Sequence, residues 1–210
     1  MIFRLTKDIM FPPTELAEPD GLLAVGGDLS VPRLTLAYQS GIFPWYSDDT
    51  PILWYAPHER FVLFPNELRI SKSMQRILKQ EVFTVTTNTA FAEVINACSQ
   101  VEREGQDGTW ITDDMKTAYI ELHKTGVAHS VEVWQNNELV GGAYGVEVGN
   151  IFCGESMFSK MSNASKVALI TLCQTGKYNL IDCQVHTAHL ESMGARMISR
   201  EEYMRLLNDV

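Results

Sequence analysis

The apolar and polar residues beyond residue 60 follow two alternating spacings, that of a helix and that of a strand. Apolar residues every three or four positions predict amphipathic helices, and apolar residues at every second position predict half-buried strands. The predicted helices cover residues 71–79, 90–101, 112–125, 163–175 and 186–193, with a further helix at the C-terminus. The predicted strands cover residues 83–87, 130–134, 139–148, 151–154, 180–185 and 196–199. The turn QNNE closes a hairpin over residues 130–148, and the strand–helix–strand order after it indicates an α+β, or mixed α/β, fold.

The first sixty residues show a different pattern, in which prolines and aromatic residues interrupt any regular spacing. Six of the eight prolines lie before residue 52, so this segment predicts loops around one short helix. Asp28 or Ser30 is suited to cap that helix. Pro32 fits its first turn, and Gly41 fits its end. We therefore expect a small N-terminal domain over residues 1–58 and a larger domain over residues 59–210.

Composition and charge narrow the class of protein. Of the 210 residues 45% are hydrophobic and 20% are charged, which excludes a disordered or fibrous chain. The apolar runs are short for a membrane span, the N-terminus lacks a signal-peptide core, and the four cysteines stand singly among apolar residues. These features predict a cytoplasmic protein with reduced thiols. The net charge of −9 argues against a nucleic-acid partner, because phosphate binding usually requires a basic surface.

The segment LIDCQV, residues 180–185, predicts a short buried strand that carries two polar side chains. Strand alternation places Asp182 and Gln184 on the same face. A carboxylate beside an amide is unusual in a central strand, so each needs a polar partner. A structural hydrogen-bond network and a bound substrate would both satisfy them, and the pattern leaves both open.

Glu155 is a second candidate, within the segment FCGESMF. Gly154 is expected to end a strand and to leave Glu155 on a loop between Phe152 and Phe158. A carboxylate among aromatic and methionine side chains is suited to bind a cation or an amine. A structural cap on the following turn explains the residue equally well.

Two further patterns suit a nucleic-acid partner in spite of the acidic total charge. The segment RISKSMQRILK places four cations on one face of a helix: Arg69, Lys72, Arg76 and Lys79. This face is either simply solvated or in contact with phosphates. Aromatic residues also cluster in the N-terminal segment, at Tyr38, Phe43, Trp45, Tyr46, Trp54 and Tyr55, with Trp110 and Tyr119 further on. They either fill a core or form a platform on which a base stacks.

Metal and nucleotide motifs are missing from the sequence. His186 and His189 have no third ligand at a suitable spacing, and there is neither a P-loop nor a G-x-G-x-x-G after a strand. We therefore expect no metal and no other cofactor.

Nine motifs occur along the chain in a fixed order: GLLAVGGDLS, GIFPWY, PILWYAP, DGTWIT, HSVEVW, LVGGAYG, FCGESMFS, NASK and LIDCQV. In this order they resemble the leucyl/phenylalanyl-tRNA–protein transferases, bacterial enzymes of the N-degron pathway. The resemblance extends from about residue 21 to residue 195. It implies a small N-terminal domain joined to a domain of the acetyltransferase-like (GNAT) type.

The activity that the resemblance implies is transfer of Leu or Phe from the 3′ end of Leu-tRNA or Phe-tRNA. The acceptor is the α-amine of a protein that begins with Arg or Lys, and no nucleoside triphosphate or metal is required. By the same resemblance, Asp182 and Gln184 form the catalytic pair, and Glu155 holds the cationic N-terminal residue of the acceptor. Because an amide is a poor base, we expect Gln184 to position the amine and not to remove its proton. We expect a monomer that needs no membrane.

The resemblance also assigns the substrate-binding residues. The aminoacyl and adenosine sites are implied at Trp45, Trp110, Tyr38, Tyr119, Phe152, Leu172 and Ile181. Ala143 stands where relatives often carry a larger residue, which predicts a roomier aminoacyl pocket. Lys72, Arg76 and Lys79 are implied to hold phosphates of the tRNA acceptor stem without reading its sequence.

Two other functions remain possible at this point. A coenzyme-A-dependent N-acetyltransferase would share the fold class, but the loop Q/R-x-x-G-x-G/A that cradles the pyrophosphate is missing before residue 163. A non-catalytic module that binds RNA ends or basic peptide N-termini would use the aromatic residues and the basic helix. Such a module would not need Asp182 and Gln184 together on a central strand.

Overall fold

The computed structural model describes residues 2–101 and 110–209. The strands in these residues are β1 (Phe3–Leu5), β2 (Leu22–Gly26), β3 (Phe43–Pro44), β4 (Leu53–Tyr55), β5 (Glu59–Leu63), β6 (Thr84–Thr87), β7 (Ala128–Gln135), β8 (Glu138–Val148), β9 (Ile151–Ser159), β10 (Leu180–Gln184) and β11 (Arg196–Ser199). The helices are α1 (Val31–Gln39), α2 (Lys72–Lys79), α3 (Phe91–Ser99), α4 (Asp113–Lys124), α5 (Ala164–Gln174), α6 (Ala188–Ser192) and α7 (Arg200–Asn208). None of them is long and apolar enough to cross a membrane.

The N-terminal segment contains a sheet, so the prediction of loops around one helix is wrong there. Strands β1, β2, β4 and β3 form this sheet, in that order. Each has only two to five residues, which is too short to show a regular alternation in the sequence. Helix α1 begins after Ser30, whose side chain makes no capping bond; Asp28 Oδ1 accepts the Ser30 N–H at 2.9 Å. Gly41, with φ of 70°, follows the helix as predicted.

The larger sheet has the strand order β11-β5-β10-β9-β8-β7-β6. Its strands come from Glu59 onward, and those of the N-terminal sheet end at Tyr55. The proposed boundary between residues 58 and 59 lies in this interval. Strands β9 and β10 run parallel, whereas β10 and β5 run antiparallel, so β10 is enclosed on both edges. The predicted hairpin is present as β7 and β8, and the mixed α/β fold class is confirmed.

Helices cover both faces of the larger sheet. On one face, residues of α1, α3, α4 and α7 pack around Tyr144 and Cys153. On the other face, α5 and α2 pack around Phe61, Phe152 and Ile181. Seven of the eleven residues of α5 are buried, which explains why its sequence is apolar on several sides. Asn163 precedes it in a left-handed conformation (φ 72°) and makes no side-chain cap, so only its position matches the prediction.

Candidate active site

The parallel strands β9 and β10 form the centre of the site, at the point where their pairing stops. The last paired residues are Asp182 on β10 and Cys153 on β9. The register of β9 against β8 shifts at Glu155, and that of β10 against β5 shifts at Cys183, before Gln184. Two β-bulges therefore lie side by side, and bulges turn side chains away from the regular alternation.

Glu155 lies in the middle of β9, so the prediction that Gly154 ends the strand and leaves Glu155 on a loop is wrong. The residue is 8% exposed, and both oxygens of its carboxylate accept hydrogen bonds. Gln184 Nε2 donates to Glu155 Oε1 at 2.8 Å, and the Tyr119 hydroxyl donates to Oε2 at 3.2 Å. The Tyr38 hydroxyl forms a very short hydrogen bond with that of Tyr119. The bulges thus place a buried carboxylate and an amide in direct contact.

The environment of Glu155 favours its protonated form more than water does. Burial raises the pKa of Glu155 to about 7; this effect exceeds that of the hydrogen bonds it accepts, and the nearby Asp182 charge adds to the rise. Burial beside Glu155 also raises the pKa values of Tyr38 and Tyr119 well above 10, so both phenols keep their protons. Glu155 is therefore the group in this cluster that exchanges a proton near neutral pH.

Asp182 is fully buried and is bound by an arginine on the neighbouring strand β5. Arg60 donates to both carboxylate oxygens, through Nε at 3.4 Å and through Nη2. Burial lowers the pKa of Arg60, but the charge and hydrogen bond of Asp182, together with the nearby Tyr203 and Cys153, outweigh burial and raise it. Asp182 Oδ1 also accepts the backbone N–H of Gln184 at 2.9 Å. Asp182 therefore connects Arg60 to the backbone of Gln184.

A cavity of about 410 Å³ opens beside this group. Ala143, Phe152, Leu172 and Ile181 line it with apolar surface, and Glu155, Asp182 and Gln184 contribute the carboxylates and the amide. Trp45 and Trp110 line it as well. Because Trp45 is 38% exposed, we place the mouth of the cavity beside it. A mostly apolar cavity with a few converging polar groups is typical of a small-molecule site.

The cavity brings together nine of the catalytic and substrate-binding residues that the resemblance implies: Trp45, Trp110, Ala143, Phe152, Glu155, Leu172, Ile181, Asp182 and Gln184. Tyr38 and Tyr119 are outside the cavity lining: Tyr119 donates to Glu155, and Tyr38 is hydrogen-bonded to Tyr119. Their contact with an adenosine stays a prediction.

Lys72, Arg76 and Lys79 are exposed on α2, outside the cavity wall, while Met74 on the same helix is buried. The segment before α2 is tied to the residue that follows α6, because the Arg69 N–H donates to the Met193 carbonyl at 2.8 Å. Helix α6 in turn contributes Leu190 to the cavity wall. The segment that precedes α2 is therefore hydrogen-bonded to the end of an element that forms part of the cavity wall.

Three features of the site escape the sequence pattern. Arg60 precedes the apolar run FVLF, and this cation at the start of a buried strand is the one signal that pointed to it. The bulges at Glu155 and Cys183 leave no signal of their own, because they arise from the pairing of β9 with β8 and of β10 with β5 and not from a local residue pattern. Alternation alone also misses the left-handed backbone of Gln184, whose φ is 60°.

The described residues contain no group of three or more His, Cys, Asp and Glu side chains that could hold a metal. None of the four cysteines forms a disulfide: Cys98, Cys153 and Cys173 are buried, and Cys183 is half-buried and lines the cavity. Burial, together with the charge of Asp182, raises the pKa of Cys183 far above its usual range. Cys183 is therefore protonated at neutral pH and is a poor nucleophile.

The chain is similar to known proteins along nearly its whole length. The family model described as "Leucyl/phenylalanyl-tRNA protein transferase" matches residues 62–208, and the model of that family's N-terminal domain matches residues 27–58. The chain is 57% identical to the leucyl/phenylalanyl-tRNA–protein transferase of Flavobacterium johnsoniae, over 98% of this chain and 99% of that protein. It is 58% identical to the one of Syntrophobacter fumaroxidans, over 98% of this chain and 89% of that protein. Among solved structures, a GCN5-related N-acetyltransferase from Kribbella flavida is 8% identical, with a TM-score of 0.38 over 77% of this chain and 58% of that one.

Proposed function

The chain belongs to the leucyl/phenylalanyl-tRNA–protein transferase family, and on that premise we propose that it transfers Leu or Phe from charged tRNA to proteins that begin with Arg or Lys. The observation that carries the proposal is the contact between Glu155 and Gln184 inside an apolar cavity. Since the cavity is lined by residues of one chain, we propose that a monomer is active. Charged tRNA is made in the cytoplasm, and we place the reaction there.

The reaction is the aminolysis of an ester. The α-amine of the acceptor attacks the carbonyl carbon of the aminoacyl ester, a C–N bond forms, and the bond from that carbon to the 3′ oxygen of the tRNA breaks. The amine loses one proton, and the leaving 3′ oxygen gains one. The tRNA ester is already activated, so the protein has to orient the two substrates and move this proton.

We assign the transfer of this proton to Glu155. A pKa of about 7 lies close to that of a protein α-amine, about 7.7–8, which makes the transfer between them nearly balanced. The Nε2 of Gln184 donates to Glu155, so the side-chain carbonyl oxygen of Gln184 is available to accept a hydrogen bond from the attacking amine. Asp182 is committed to Arg60 and to the Gln184 backbone, and we assign it a positioning role.

The apolar part of the cavity suits the side chain of the transferred amino acid. Phe152, Leu172 and Ile181 surround a space that fits Leu or Phe, and Trp45 and Trp110 offer flat surfaces for the terminal adenine. The predicted role of Glu155 in holding a cationic side chain is the second candidate for that residue. It is favoured by the same burial, because a buried carboxylate attracts a cation strongly.

The decisive experiment offers the full chain Phe-tRNA, Leu-tRNA and Met-tRNA together with a peptide that begins with Arg. Mass spectrometry identifies the residue that is added. We expect addition of Phe or Leu, and a matched peptide that begins with Glu should remain unmodified. No addition from any donor would favour the binding module, and calorimetric binding of coenzyme A would favour the acetyltransferase.

Reversing two charges on α2, with Lys72→Glu and Arg76→Glu, is expected to weaken tRNA binding. The logarithm of the tRNA association constant decreases linearly with the logarithm of the salt concentration. If both side chains contact phosphates, this slope becomes shallower by about two in the variant. Filter binding of charged tRNA between low and moderate salt measures this slope.

The matched control changes the net charge equally with Arg4→Glu and Lys7→Glu, two exposed residues of the N-terminal segment. We expect the control to keep the slope of the unmodified protein. An unchanged slope in the α2 variant would remove Lys72 and Arg76 from the tRNA contact.

Enlarging Ala143, with Ala143→Met, is expected to lower the transfer of Phe relative to Leu. Ala143 is buried in the cavity wall, so a longer side chain occupies space that the larger aromatic ring needs. We expect the ratio of kcat/KM for Phe-tRNA to that for Leu-tRNA to fall about tenfold. Competition between the two charged tRNAs measures the ratio, and Ala97→Met on α3, outside the cavity wall, is the control. An unchanged ratio would exclude Ala143 from the aminoacyl pocket.

A further inference from the structure

Arg60 is a buried cation whose five N–H groups meet several parts of the molecule at once. Its side chain is 2% exposed. Nε and Nη2 donate to Asp182, and Nη1 donates to the Gly41 carbonyl at 3.0 Å. The guanidinium also lies over two aromatic rings, 4.9 Å from the centre of Phe43 and 4.4 Å from that of Tyr203. Its orientation is therefore set by β10, by the N-terminal domain and by α7 together.

On its β10 side, Arg60 sets the orientation of the Asp182 carboxylate. That carboxylate accepts the N–H of Gln184, whose φ of 60° is uncommon for a residue other than glycine. In this left-handed conformation the Gln184 side chain reaches Glu155. The contact on which the proposed chemistry depends is therefore held by a chain of two side chains that starts at Arg60.

On its other side, Arg60 contacts the segment that carries the mouth of the cavity. Gly41 and Phe43 are bound by the guanidinium, and Phe43, Pro44 and Trp45 line the cavity in succession. One guanidinium thus contacts both the wall with the reacting groups and the wall with the exposed tryptophan.

We propose that Arg60 is a positioning residue, which holds Gln184 against Glu155 through Asp182 and holds Trp45 at the cavity mouth through Gly41 and Phe43. This inference rests on the proposed function for its kinetic consequence. Its geometric consequence, the position of the Gln184 amide, is independent of any activity.

The test is Arg60→Lys in the full chain. Lysine keeps the charge and loses the planar fork that binds Asp182 and Gly41 together. We expect kcat to fall about 10²-fold at saturating substrates, as for a small misplacement of reacting groups. KM for charged tRNA should rise as well, because Trp45 at the cavity mouth loses the support that it gains through Gly41 and Phe43. A crystal structure of the variant should show the Gln184 amide displaced from Glu155.

The matched control is Arg33→Lys. Arg33 is also fully buried and pairs with a carboxylate, Asp28, and a backbone carbonyl, that of Thr6. It lies in the N-terminal domain outside the cavity wall. We expect a comparable fall in Tm with kcat near that of the unmodified protein, which separates lost stability from lost positioning.

A double-mutant cycle with Asp182→Asn adds a readout that a merely structural role would not move. If Arg60 acts through Asp182, the two substitutions together lower kcat much less than the product of the single effects. Arg60→Lys with unchanged kcat, or with effects that multiply in the cycle, would overturn the proposal.

Failure of the proposed function is recognised separately, because the unmodified protein would then add no amino acid to any peptide. In that case the crystal structure of Arg60→Lys decides. A Gln184 amide still bonded to Glu155 overturns the positioning role, and a displaced amide supports it.

Discussion

Replacing Glu155 with Gln is expected to reduce the transfer rate by about 10²–10⁴-fold, the usual contribution of general acid–base catalysis. The amide has nearly the same shape and still forms hydrogen bonds with Tyr119 and Gln184, but it cannot accept a proton at any pH in the working range. In the unmodified protein, kcat should rise with pH through about 7, the pKa to which burial raises Glu155. The variant should lack this rise and keep only that of the acceptor amine near pH 8.

Initial rates of Phe transfer to a peptide that begins with Arg, between pH 5.5 and 8.5, measure the effect. The control is Glu132→Gln, which alters another buried glutamate, on β7, that accepts hydrogen bonds from Ser130, Thr86 and Thr89. That variant should lose stability and keep the rise near pH 7. If Glu155 holds the cationic N-terminal residue instead, Glu155→Gln raises KM for the peptide and leaves the pH profile of kcat unchanged.

The same carboxyl makes a prediction about folding that does not depend on activity. Its pKa rises from 4.5 to about 7 on folding, so between these pH values the folded protein binds more protons than the unfolded chain. Stability from this group is therefore present below pH 4.5 and is lost as the pH rises through about 7. Thermal unfolding should show Glu155→Gln gaining Tm relative to the unmodified protein at pH 8, with the difference shrinking towards pH 5. A constant difference would contradict the raised pKa.

The second large effect is expected for Asp182→Ala, which leaves Arg60 as an unpaired cation in the interior. Breaking a buried ion pair from one side costs about 3–5 kcal/mol, because the remaining charge keeps its desolvation penalty. For a chain of this size that corresponds to a fall in Tm of roughly 6–20 °C. The Gln184 N–H also loses its acceptor, so transfer should fall about 10²-fold in protein that is still folded.

Differential scanning calorimetry and rates measured well below the lowered Tm separate the two losses. Glu67→Ala is the control, because Glu67 pairs with Arg196 at 3.1 Å on the surface, where both side chains are nearly half exposed. Such a pair contributes about 0–1 kcal/mol, so the Tm should hardly change. Asp182→Asn should fall between the two, since it removes the charge and keeps an oxygen for the Gln184 N–H. Equal Tm values for Asp182→Ala and Glu67→Ala would show that the buried pair adds little stability.

Local chemistry in the sequence was sufficient for most of the larger domain. The helix over 112–125 could be predicted because Thr112 accepts the Met115 N–H and caps α4. The hairpin could be predicted because Asn136 and Asn137 both tolerate the positive φ of its tight turn, 53° and 65°. Such features act over a few neighbouring residues, so a single sequence contains all the information that they need.

The N-terminal sheet could not be predicted in this way. Strand β3, Phe43–Pro44, has two residues and owes its existence to pairing with β4, ten residues further along. In the larger sheet, strand β5 is likewise stabilised by pairing with β10, which is more than a hundred residues away in the sequence. Pairing between distant segments leaves no periodic pattern in either of them.

The net charge of −9 also gave too coarse an answer about a nucleic-acid partner. Lys72, Arg76 and Lys79 lie together on the exposed side of α2, and a short basic stripe on an acidic body is sufficient to bind a few phosphates. The total charge therefore has to be divided among the faces of the molecule before it excludes a partner.

The sequence by itself determined which family this chain resembles, which class of fold it adopts and which polar residues in apolar strands require a partner. Only the tertiary structure decided which residues those partners are. The sequence pattern pairs Asp182 with Gln184, but in the fold the Asp182 carboxylate binds Arg60 and the Gln184 amide binds Glu155. The physical reason is that a buried polar group must be satisfied by whatever the fold brings within about 3 Å, and two bulges on neighbouring strands set that distance here.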